Sequence, residues 1–245
     1  MSAGPEFLVP DWPAPPTVRA AMTTRRGGVS NGAYETLNLA LHVGDDAGAV
    51  LENRRRVRAA LALPAEPRWL TQVHGTEVAT LGRDEPGSAD AAVALGPGLV
   101  CAVLVADCLP VFLASRAGDR VGLAHAGWRG LAAGIVEATV AALAIEPTQL
   151  IAWLGPVIAP AAFEVGAEVR AAFVAAEPAA AAEFRPGRAG RWLADLPALA
   201  RRRLAACGVT EVHGGGLCTF ADPARFYSFR RDGQTGRMAA LAWLA

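Results

Sequence analysis

The chain contains no lysine; all 23 of its basic residues are arginine. That absence excludes a Schiff-base lysine and the phosphate-binding lysine of a P-loop. It also lacks a surplus of charge, with 23 basic against 23 acidic residues, so no overall field favours nucleic acid as a partner. No apolar run reaches the roughly 18–20 residues that span a membrane. The opening MSAGPEFLVPDWPAPP has no basic stretch followed by an apolar one, so a signal peptide is not expected. Cysteine is sparse: Cys101, Cys108, Cys207 and Cys218 lack both metal-knuckle spacing and a disulfide-rich context. A reduced, cytoplasmic protein is expected.

What is present is apolar. Of 245 residues 53% are hydrophobic and 19% charged, enough for a sizeable core and too little charge for disorder. The pattern predicts an α/β fold: mixed β-sheets flanked by helices, with a poorly ordered Pro-rich lead-in at 1–16 and a single domain over 17–245. Strands are expected at 18–24, 68–74, 76–81, 90–94, 99–106, 111–114, 121–124, 150–154, 209–213, 217–220 and from about 225. Helices are expected from Asp45 or Asp46 to about 62, from Gly127 through Leu143, over 165–176, and from Asp195 to Cys207. Residues 82–89 read as a loop and 177–191 as a surface excursion.

Chemistry concentrates between Gly98 and Val140. Cys108 follows Asp107 at the end of one apolar run, and His125 ends another. The segment RWLTQVH brings His74 to a third such end. Side chains at strand ends are held by a rigid sheet, where α/β proteins commonly place their chemistry. Two imidazoles and a thiolate suit zinc or copper, and three protein ligands leave a fourth position open, the catalytic arrangement. The bland alternative is a small buried cysteine and satisfied core histidines. His42 lies in a polar loop at 23–46 and can line the same cleft, whereas His213 reads as structural. Cys101 and Cys207 read as packing residues, and Cys218 as near the cleft.

The residues then resemble a known family. The blocks TTRRGGVSNGAYETLNLALHVGDD, NRRR, TQVHG, ADCLP, HAGWRG and YSFRRDG-TGR run in order over residues 23–237. They are similar to the laccase-domain or YfiH-like family, also described as purine nucleoside phosphorylase, polyphenol oxidoreductase or peptidoglycan editing factor. The resemblance implies zinc, with copper as the other possibility, held by His74, Cys108 and His125. It implies phosphorolysis of adenosine, inosine and methylthioadenosine, with adenosine deaminase activity, in a monomer acting on a small-molecule nucleoside and phosphate. Arg25 and Asn38 match its polar loop, and Arg230 and Arg231 its terminal block, as residues of the substrate cleft. Deamination also needs an acid or base, for which Asp107 and His42 are candidates; in the rival amide hydrolysis named below, Cys108 can act as nucleophile with His125 as base. The N-terminus of the helix opening at Gly127–Gly130 is a candidate phosphate holder. Multicopper oxidation is not expected, since four histidines in all cannot supply a blue copper site plus a trinuclear cluster. Two rival readings remain: an amidase editing a cell-wall precursor, and a non-catalytic metal-binding partner protein.

Overall fold

The structure, a computed structural model, describes residues 4–83 and 87–245. One sheet has five strands in the order β1 (Phe7–Leu8), β2 (Val18–Thr23), β14 (Met238–Leu244), β6 (Val100–Val105), β3 (Arg68–Trp69). A second has six: β13 (Val212–Gly214), β9 (Leu150–Leu154), β7 (Leu109–Ser115), β8 (Val121–Ala126), β5 (Ala91–Ala94), β4 (Val78–Thr80). Both are mixed, with parallel pairs β3–β6, β13–β9 and β4–β5 and antiparallel pairs elsewhere. A small antiparallel sheet joins β10 (Glu164–Gly166), β12 (Arg191–Ala194) and β11 (Phe184–Pro186). The expected α/β class with mixed sheets is the observed one.

The layers follow from the two-residue period of the strands. On β14, Met238, Ala240, Ala242 and Leu244 enter a core shared by the two large sheets, while Ala239, Leu241 and Trp243 enter another. That outer core is closed by Val57 of α1 (Ala47–Ala60) and by Leu37 and Leu39 of the polar loop. On β7, Phe112 and Ala114 face the central core. Its Leu109, Val111 and Leu113 face helices α2 (Trp128–Ala133), α3 (Ile135–Ala142), α4 (Ala167–Ala176) and α5 (Leu196–Ala206). Strands buried on both faces are uniformly apolar, which is why they read as unbroken runs.

The helix starts follow ordinary capping. Asp46 accepts from the Ala49 N–H at 2.7 Å and Asp195 from that of Ala198 at 2.9 Å, each satisfying an otherwise orphaned donor. Several expectations are corrected. The helix expected from Gly127 through Leu143 is two helices, broken at Gly134 with φ 108°. The strand expected at 68–74 ends at Trp69. Residues 217–220 contribute only a bridge between Cys218 and Val157. The strand expected from about 225 is instead α6 (Phe229–Asp232), capped by the Ser228 hydroxyl. Phe7–Leu8 of the expected lead-in pair with Met22 and Thr23. Residues 1–3, and 84–86 of the expected loop at 82–89, lie outside the described residues.

Candidate metal centre

His74, Cys108 and His125 come from three separate segments, yet one ligand atom of each lies within 4.8 Å of the others. Cys108 sits in the turn by which the chain crosses from β6 in one large sheet to β7 in the other. His125 is inside β8, buried, opposite Pro110 in the ladder. His74 lies beyond β3 in an exposed turn with φ 61°, a left-handed value that side chains rarely adopt. Such a conformation persists when its surroundings over-determine it.

Asp90 does that work, and sequence reasoning missed it. Its carboxylate is fully buried and accepts the backbone N–H groups of Val73 (3.1 Å), His74 (2.9 Å) and Gly75 (2.7 Å). The same group meets His125 Nδ1 at 2.8 Å. One carboxylate therefore pins the turn that carries His74 and turns His125 Nε2 toward Cys108. Burial opposes its charge, but the bonds to His125 and to the turn hold it below the usual carboxylate range.

The HAGWRG block contributes bare α-carbons. A Cβ on Gly127 would lie 2.9 Å from the His74 ring and 3.0 Å from Cys108 Sγ. A Cβ on Gly130 would lie 3.0 Å from the Gly75 carbonyl. Glycine at these two positions leaves the space in which the three donors converge.

The donors also set each other's charge. Burial pushes the Cys108 thiol up, but the adjoining imidazoles of His125 and His74 outweigh it and bring it down to about 6. Burial likewise opposes the imidazolium of His125, yet the Cys108 thiolate and Asp90 raise it to about 9. A thiolate facing two imidazoles, one braced by a carboxylate, fits a tetrahedral-type zinc site with a fourth position free, and suits copper too.

These donors open into a cavity of about 270 Å³, lined also by His42, Gln72, Leu104, Ala106, Phe229 and Arg237. Gln72 forms wall: its amide bonds the Leu104 N–H at 2.7 Å and the Leu104 carbonyl at 3.0 Å. Phe229 is 58% exposed and offers an apolar face.

The other candidate residues do not line this cavity. Asp107, at φ 88°, accepts Thr219 Oγ1 (2.6 Å), Ser228 Oγ (3.0 Å) and the Arg230 N–H (2.7 Å). It ties the Cys108 turn to α6. Arg25 bonds the carbonyls of Glu35 and Pro223 and lies over Tyr227. Arg230 bonds the carbonyl of Glu164 at 2.9 Å. Arg231 bonds those of Thr219, Phe220 and Phe226. Asn38, fully buried, bonds both backbone groups of Ala40, the Asp45 carboxylate and the Arg237 N–H. Cys218 Sγ accepts the N–H groups of Ala159 and Ala221, and His213 meets Glu211 at 3.1 Å. The polar loop and terminal block do meet beside the donors, but it is His42 and Arg237 that face inward. A helix of six residues is too short to carry the phosphate role expected of its start.

Comparison with known proteins agrees with this frame. A family described as multi-copper polyphenol oxidoreductase laccase matches residues 19–245. A purine nucleoside phosphorylase of Pseudomonas aeruginosa is 54% identical over 239 residues, 97% of this chain and 98% of that protein. The purine nucleoside phosphorylase YfiH of Escherichia coli is 50% identical over 241 residues, 98% of this chain and 99% of that protein. A crystal structure of a Neisseria meningitidis protein superposes with a TM-score of 0.93 at 49% identity, covering 97% of this chain and 98% of that one.

Proposed function

The chain belongs to the family described as multi-copper polyphenol oxidoreductase laccase, and from that membership and the site we propose a metal-dependent purine nucleoside phosphorylase that also deaminates adenosine. The substrates would be adenosine, inosine and methylthioadenosine, each with phosphate. The observation that carries the reading is the convergence of His74, Cys108 and His125 on a cavity that also holds a cation, Arg237, and an exposed aromatic face, Phe229. The names borne by the relatives at 54% and 50% identity support it.

His74, Cys108 and His125 would hold zinc, or copper in its place. A divalent ion there would supply Lewis-acid chemistry at the reacting centre. Asp90 keeps His125 in the tautomer that presents Nε2, and Gly127 keeps the space clear. Phe229 offers a surface on which a purine ring can stack. His42 is the titratable side chain of the cavity outside the donor set; burial and the nearby Arg237 and Arg54 guanidiniums hold it below its ordinary value. A neutral imidazole can take a proton and return it, so of the two candidates His42 is the better placed for the acid–base role. Asp107 is already committed to three donors.

The test is incubation of adenosine and of inosine with metal-loaded protein, with and without phosphate, following base, ribose 1-phosphate and inosine separately. Phosphate-dependent release of base with ribose 1-phosphate supports phosphorolysis. Release of base that ignores phosphate overturns it in favour of hydrolysis. Inactivity on every nucleoside together with cleavage of a muramyl amino-acid precursor overturns it in favour of the editing amidase.

A further inference from the structure

The geometry points to Arg237 as the anion anchor of the cavity, the group that binds the phosphate substrate and aims its oxygen at the sugar. This assignment rests on the phosphorylase reading above and gives its second substrate a place.

Three observations carry it. Among the residues that line the cavity, Arg237 alone bears a permanent charge. Its Nη1 is held by the carbonyls of Thr235 at 2.8 Å and Gly236 at 3.0 Å. Its Nε and Nη2 have no hydrogen-bond partner among the described residues, although the guanidinium is half-buried. A half-buried guanidinium with two parallel donors unclaimed is built for a bidentate oxyanion.

The setting aims those donors. Asn38 Oδ1 takes the Arg237 N–H at 2.9 Å, so the backbone is fixed from the polar loop. The Nη1 bonds fix the plane of the guanidinium, and the Phe229 ring lies 5.7 Å from its carbon. Arg25 and Arg231 differ in kind, because Nε or Nη2 of each is already bonded; Arg230 is bonded through Nη1 alone, to the carbonyls of Ala162 and Glu164, but it does not line the cavity. Arg54 is spent on the Leu39 carbonyl and stacks on Trp69.

The step balances without a further reactant. A phosphate oxygen held by Nε and Nη2 of Arg237 forms a bond to C1′ of the nucleoside. The C1′–N9 bond breaks, and its electron pair leaves with the purine, which takes up the proton that the phosphate gives up on becoming the sugar ester. The products are ribose 1-phosphate and free base. Arg237 neutralises the nucleophile's charge and orients it, and gives no proton.

The experiment is a kinetic and binding comparison of wild type, Arg237→Met and Arg237→Lys, each metal-loaded, with inorganic phosphate as the probe. Phosphate is titrated at saturating inosine, inosine is titrated at saturating phosphate, and phosphate binding is read directly by ³¹P line broadening. Loss of a charged bidentate contact should raise the phosphate KM of Arg237→Met by about 10- to 100-fold, with a far smaller rise for inosine. Arg237→Lys, which keeps the charge but loses the fork, should fall between the two; it also decides the question if the methionine variant fails to fold. Phosphate-dependent turnover with an unchanged phosphate KM, or equal rises for both substrates, overturns the anchor and leaves the phosphorylase reading standing. Base release by the wild type that is indifferent to phosphate overturns the phosphorylase reading instead.

Discussion

Asp90 shows how a residue outside the cavity lining can govern the three candidate metal ligands. It collects three backbone N–H groups and one imidazole, so replacing it acts on two ligands together. Asp90→Asn keeps the size but loses the charge that braces His125. Metal affinity should fall by about 10- to 100-fold, read by competition against a chromophoric chelator. An unchanged affinity would mean that the histidines are oriented by packing alone. The charge balance of the donors predicts a second outcome. In metal-free protein the Cys108 thiol, lowered to about 6, is a thiolate above that pH. Alkylation by iodoacetamide should therefore rise with pH to half its maximum near 6, rather than near the ordinary thiol value of about 8.5. Cys101, whose thiol burial pushes well up, should stay unmodified, which mass spectrometry of the peptides would reveal. A midpoint for Cys108 above 8 would remove the imidazole pairing.

At the scale of elements, the four-residue helix α6 cannot stand by itself. It is held from outside: Asp107 accepts from Ser228, its cap, and from the Arg230 N–H inside it. Asp107→Ala would strand two hydroxyls and one N–H. We expect a loss of about 2–4 kcal/mol, since each unpaired buried group costs about 1–3 kcal/mol, measured by urea unfolding of the metal-free protein. The same change should loosen Phe229 and Arg237 and so weaken substrate binding; a fully stable variant would show that α6 is held by something else. Helix α1 gives a control at a distance. Asp46→Ala should cost about 1 kcal/mol while leaving metal affinity alone.

At the scale of the molecule, the last strand is an interior one. β14 pairs with β2 on one side and β6 on the other, and feeds two cores. Neither the five-stranded sheet nor the central core is complete without it. A chain ending at Arg237 should lack a cooperative unfolding transition by circular dichroism, whereas native-like melting of that chain would show that the six-stranded sheet folds alone.

The sequence by itself determined the class of fold and the three candidate donors. Apolar runs such as 99–106 are strands buried on both faces, and burial leaves no other composition open to them, so they were legible. His74, Cys108 and His125 were legible because each is a chemically distinctive residue at the edge of such a run, in blocks that resemble a family's. The tertiary structure alone decided which polar residues serve the site. Arg25, Arg230 and Arg231 stand in conspicuous motifs, yet each bonds carbonyls that only folding brings near and none lines the cavity. Asp90 gave no local signal, and Arg237 closes the YSFRRDG-TGR block with nothing in the sequence to set it apart from Arg230 and Arg231. Asp90 precedes β5, and its place beside His125 depends on the pairing of β5 with β8, where Ala91 lies opposite Ala124. Arg237 enters the cavity because Asn38, 199 positions earlier, holds its backbone. An arginine's charge is written in the sequence, but whether its donors remain free depends on which carbonyls lie within 3 Å, and that is a property of the packed chain.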